Sequence, residues 1–84
     1  MHHKTDLSRL VGKQFKVTDA SGYRFIAVIE DIEKAKSLIS LPGFEDNAAM
    51  ALDNIIMTVK SNARIENHLH VGTYDTLPGI RFII

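Results

Sequence analysis

The chain has 84 residues, 45% apolar and 24% charged; ten Lys and Arg balance ten Asp and Glu, and there is no cysteine. This composition argues against a disordered chain, excludes disulfide staples and thiolate zinc sites, and offers no overall attraction to nucleic acid or an anionic membrane. No apolar run reaches the ~20 residues that span a bilayer. The opening MHHKTD lacks the apolar core of a signal peptide, so the expected location is cytoplasmic. One small domain over residues 1–84 is expected, and a core this small without staples favours self-association.

Residues 6–12 read as a short helix, capped by Thr5 or Asp6 and stopped by Gly12, with Leu7, Leu10 and Val11 seating it on the domain. QFKVT at 14–18 alternates: Phe15 and Val17 take one face, Lys16 and Thr18 the other, as in a half-buried strand. Asp19-Ala20-Ser21-Gly22 is turn chemistry. Residues 23–32 (YRFIAVIEDI) follow as a long strand, with Phe25, Ala27 and Ile29 on one face and Ile26 and Val28 on the other. A strand apolar on both faces is central, or curls so that both are covered.

Residues 33–41 (EKAKSLISL) fit either an amphipathic helix or a turn followed by a third strand at 37–41. The hairpin is preferred, because Pro42-Gly43 leaves a helix too short to stand alone. Residues 46–61 (DNAAMALDNIIMTVKS) are the clearest helix, capped by Asp46 or Asn47. Its buried stripe is Ala48, Ala51, Leu52, Ile55, Ile56 and Val59. Met50 and Met57 lie nearly opposite with Asn54 between them, as tolerated surface methionines or as an adaptable protein interface.

Residues 64–71 (RIENHLHV) alternate again, Ile65, Leu69 and Val71 inward and Glu66, His68 and His70 outward. Two His with a Glu on one strand face can converge on zinc, copper or nickel, with Asp75 as the nearest further ligand. A polar sheet face shows the same alternation, and that is the preferred reading: no metal site is assigned. Residues 72–79 form a loop or bent strand end. Residues 80–84 (IRFII) form a terminal apolar strand that needs a sheet or a partner to hold it.

Catalytic signatures are absent from the sequence. There is no cysteine nucleophile, no phosphate-cradling GxxxxGK[ST], no GxGxxG, no GxSxG elbow, and no assignable carboxylate pair. No catalytic residue and no cofactor is expected, and the chain is read as a non-enzyme.

The stretch LVGKQFKVTDASGYRFIAVIEDIEKAKSLISL resembles the opening of the Sm-like (LSm) small barrel family. It has a helix end, a Gly-Lys, a strand, a small-Gly turn, a long strand, an Ile-acidic pair and a hydrophobic strand. Leu77-Pro78-Gly79 followed by IRFI is similar to that family's second motif. The resemblance implies a mainly β fold with helices: an Sm-like or SH3-like barrel of about five antiparallel strands. A short N-terminal helix would open it, and the 46–61 helix would be inserted before the last two strands. It further implies a homo-oligomeric ring binding single-stranded RNA. Lys34, Lys36, Ser37, Gly79 and Arg81 would form the RNA surface, multiplied by symmetry. The family's uracil-contacting Asn has no match here, and the Arg of its second motif is Pro78. The competing reading is a small non-catalytic protein-binding regulator or inhibitor of α+β type, monomeric or dimeric, using Met50 and Met57.

Overall fold

The computed structural model describes residues 7–65 and 77–83. A 3₁₀ turn at Leu7–Leu10 leads into β1 (Gln14–Thr18) and β2 (Arg24–Ile29); α1 (Ile32–Ala35) follows, extended by a 3₁₀ turn at Lys36–Leu38. Another 3₁₀ turn at Phe44–Asp46 precedes the long helix α2 (Ala48–Ile65), and β3 (Ile80–Ile83) comes last. The strands form an antiparallel sheet in the order β1-β2-β3, so β2 is central as its two apolar faces anticipate.

Cross-strand register assigns the faces. Phe15 pairs with Ala27, Val17 with Phe25, Ile29 with Ile80, and Ala27 with Phe82. Partners across a sheet share a face, and these residues pack with Ala51, Ile55, Val59 and Ala63 of α2 into one core. Phe25 meets Phe82 edge-on at 5.4 Å between ring centroids. The second face carries Gln14, Lys16, Thr18, Arg24, Ile26, Val28, Arg81 and Ile83 by the same register.

The β1–β2 turn is built by Asp19, which is almost fully buried. Its Oδ1 accepts the Ser21 amide (3.0 Å), the Ser21 hydroxyl (2.7 Å) and the Tyr23 amide (2.9 Å). Gly22 then takes φ +90°, a conformation that costs a side-chain-bearing residue about 1–2 kcal/mol.

The expected five-stranded barrel is not what forms. Among the described residues there are three strands in an open sheet, flanked by helices: an α+β arrangement. Three departures account for it. First, residues 37–41 are not a third strand. Asp31 caps α1 by accepting the Lys34 amide, and Ile32, Ala35 and Leu38 recur at three-residue spacing and are buried. The helical segment is as short as anticipated, but packing supports it where isolated propensity would not.

Second, α2 starts two residues later than expected, at Ala48, where Asn47 Oδ1 accepts the Met50 amide (3.1 Å). It also runs past Ser61 to Ile65, so Arg64 and Ile65 are helical rather than the start of a strand. The buried stripe follows strict four-residue steps, Ala51, Ile55, Val59 and Ala63, with Asn54 beside it. The small Ala63 keeps the helix on the core for another turn, while Ile65, expected inward, is 79% exposed. Leu52, Ile56 and Ala48 are only half-buried.

Third, the long strand stops at Ile29 rather than reaching Ile32, which instead opens α1. Val11, expected to seat the N-terminal turn, is exposed, while Leu7 and Leu10 do that work. The face of Glu66, His68 and His70, with Asp75, lies outside the described residues.

Candidate functional site

Of the residues assigned to an RNA surface, Gly79 joins the β2–α1 junction to β3. Its carbonyl oxygen accepts the amides of Glu30 (2.8 Å) and Asp31 (3.1 Å). A Cβ on Gly79 would run into the Asp31 carbonyl oxygen and lie 2.7 Å from the Ala35 nitrogen, and its φ is +78°. Gly79 therefore serves the backbone junction rather than presenting an open turn.

The cations around it are matched by carboxylates. Arg81 Nε pairs with Glu30 at 3.0 Å, and Lys36 Nζ pairs with Glu33 at 3.2 Å. Ser37 Oγ donates to the Lys34 carbonyl (2.9 Å), and Lys34 is exposed on α1. With Glu30, Asp31 and Glu33 interleaved among Lys34, Lys36 and Arg81, the patch has no surplus positive charge.

Met50 and Met57 are exposed on α2, as expected of them. Asn54, expected between them on the outer face, is fully buried instead. Its Oδ1 accepts the amides of Ser40 (2.6 Å) and Leu41 (3.4 Å), and Thr58 Oγ1 donates to the Leu38 carbonyl (3.1 Å). These two side chains pin the irregular segment 38–41 onto α2. A hollow of about 360 Å³ lies alongside, lined by Lys36, Ile39, Ser40, Leu41, Pro42 and Glu45.

A different surplus of charge sits at the far edge of the sheet. A cleft of about 310 Å³ opens between β1 and the second half of α2, lined by Lys16, Thr18, Asp19, Lys60 and Arg64. Asp19 Oδ1 is committed to the turn, and Lys16, Lys60 and Arg64 make no ion pair among the described residues. Lys60 and Arg64 are four residues apart on α2 and so share a helix face.

Beside this cleft runs the outer edge of β1. The bonds from Ile29 N to Lys13 O (3.0 Å) and from Asp19 N to Tyr23 O (3.0 Å) fix which residues face β2. In an antiparallel ladder, hydrogen-bonding residues alternate with residues whose amide and carbonyl point away. Lys13, Phe15, Val17 and Asp19 therefore face β2, and the backbone groups of Gln14, Lys16 and Thr18 face outward. No strand of the described residues pairs with them.

The sequence offered the first strand's edge only as a contact between ring subunits and Lys60 only as a charge near the helix end, and assigned Lys16, Lys60 and Arg64 to no common site. Two signals were present. Lys16 and Thr18 alternate outward in QFKVT, and Lys60 and Arg64 stand at i, i+4, which becomes visible once the helix continues beyond Ser61.

The described residues thus form an α+β arrangement with an open antiparallel sheet, the helix α2 across its inner face and a cation-lined cleft at one edge. In comparisons with known proteins no family model matches it, and neither does any curated protein or solved structure. No helix of the described residues is long and apolar enough to cross a membrane.

Proposed function

We propose that this chain is a small protein-binding module of the regulator or inhibitor type, with no chemistry of its own. The observation that carries the reading is the outer edge of β1, which no strand of the described residues pairs, lying beside a cleft lined by Lys16, Lys60 and Arg64. An open edge of alternating N–H and C=O groups is a template for an added strand, and proteins use it to capture extended segments of partners. A cytoplasmic site of action belongs to the same proposal, the cysteine-free composition being compatible with a reducing compartment.

The single-stranded RNA reading has less support. Its ring was tied to a closed barrel, and the surface assigned to it has Arg81 and Lys36 paired with Glu30 and Glu33. Selection of a displayed random-peptide library against the purified protein tests the protein-binding reading. Enrichment of a common sequence pattern is expected; failure to enrich any pattern, together with anisotropy changes on oligo-U or oligo-A at low salt, would replace it by the RNA reading. Light scattering on the eluting protein tests the ring, which a strict monomer excludes.

A further inference from the structure

We infer that the occupant of the β1 edge is an extended acidic segment of a partner protein, added to the sheet as a further strand alongside β1. This rests on the protein-binding reading and names the partner's chemistry. The outward-facing amides and carbonyls of Gln14, Lys16 and Thr18 are satisfied in pairs by a strand running alongside.

Pleating decides where the side chains of that strand point. Successive residues of the added strand point to opposite faces of the sheet. On the second face one side chain meets Lys16, flanked by Thr18. The next side chain points to the helix side, where Lys60 and Arg64 line the cleft. Three cations distributed over both faces call for carboxylates at successive positions of the partner, not only at alternate ones.

Charge also decides against a second copy of this chain as occupant. Pairing two β1 edges would bring Lys16, Lys60 and Arg64 of one copy toward the same residues of the other. Like charges set opposite across a strand pair are destabilising, and lysine on an edge strand is a common device against self-pairing. An acidic strand turns that barrier into attraction.

The test uses the full chain and a fluorescein-labelled ten-residue peptide of Val, Thr, Glu and Asp with carboxylates at three successive central positions. A second peptide carries Lys at those positions, and a third keeps the carboxylates but is N-methylated on alternate central residues. The acidic peptide is expected to bind and the Lys peptide not to. The N-methylated peptide, Thr18→Pro, and the double variant Lys60→Glu with Arg64→Glu should each weaken binding at least tenfold. Thr18→Pro removes an outward amide while leaving the β1–β2 ladder and all three cations in place. Amide exchange at Lys16 and Thr18 should slow when the peptide is bound.

Binding undiminished by N-methylation and by Thr18→Pro would overturn the added strand and leave only charge attraction. Equal or tighter binding of oligo-U, abolished by the same Glu substitutions, would overturn it in favour of nucleic acid. Concentration-dependent dimerisation blocked by Thr18→Pro would overturn it in favour of a second copy. Library-selected peptides without acidic residues, or mapping away from β1, would remove this inference while leaving the protein-binding reading intact.

Discussion

The carbonyl oxygen of Gly79 accepts the backbone amide of Glu30 at 2.8 Å, tying the start of β3 to the end of β2. The same oxygen takes the Asp31 amide at 3.1 Å, where Asp31 begins to cap α1. One glycine therefore sets the junction of strand, helix and strand.

Gly79→Ala should destabilise the protein by about 2–4 kcal/mol, combining a left-handed backbone with a collision at Asp31 and Ala35. Gly22→Ala is the control. Its φ is equally left-handed, but nothing lies within 4 Å of the added Cβ, so a loss of about 1–2 kcal/mol is expected. Urea unfolding of both variants checks the difference; equal losses would mean that the close approach at Gly79 carries no weight.

Asn54 and Thr58 hold the 38–41 segment to α2. Asn54→Ala leaves the Ser40 amide without its acceptor and empties a buried position, which should cost about 1–3 kcal/mol. Thr58→Val removes one hydrogen bond at nearly constant volume and should cost about 0.5–1.5 kcal/mol. Because both act on one segment, the double variant should lose less than the sum. Denaturation of the four proteins in the cycle measures the coupling, and strict additivity would show two independent anchors.

The extension of α2 to Ile65 has its own signature. Ala63 is fully buried, so Ala63→Leu should cost about 1–3 kcal/mol by overpacking. Ile65 is exposed, and Ile65→Ala should change stability by no more than about 0.5 kcal/mol. A strand beginning at Arg64 with Ile65 inward would reverse that order, so thermal melts of the two variants separate the alternatives.

Arg81 and Glu30 form an ion pair that remains more than half exposed on both sides. Water screens such pairs, and a double-mutant cycle should give a coupling of no more than about 1 kcal/mol. Arg81→Ala should also leave acidic-peptide binding unchanged, since Arg81 is on β3 and the cleft borders β1 at the opposite edge of the sheet. A tenfold loss of peptide affinity in this variant would move the docking surface away from β1.

Local signals in the sequence were enough for several elements. The alternation of QFKVT placed β1 at its observed bounds, because a period of two is unambiguous when polar and apolar residues alternate without interruption. The Asp19–Gly22 turn, the central position of β2, the exposure of Met50 and Met57, and the body of α2 were legible for similarly local reasons. The junction that Gly79 makes with Glu30 and Asp31 was not legible in the sequence, because it depends on a backbone approach between segments about fifty positions apart.

Tertiary structure decided what local pattern left balanced. EKAKSL is too short to hold a helix by propensity, and only burial of Ile32, Ala35 and Leu38 selects helix over hairpin. RIENHLHV alternates like a strand, yet Arg64 and Ile65 follow Ala63, whose packing on the core extends α2 through them. Asn54 looked like an outward residue until two amides of a distant segment gave its carbonyl oxygen a buried role. The cleft of Lys16, Lys60 and Arg64 is of the same kind. Lys16 lies more than forty positions before Lys60 and Arg64 in the chain, and only the packing of α2 across the sheet sets the three beside one strand edge.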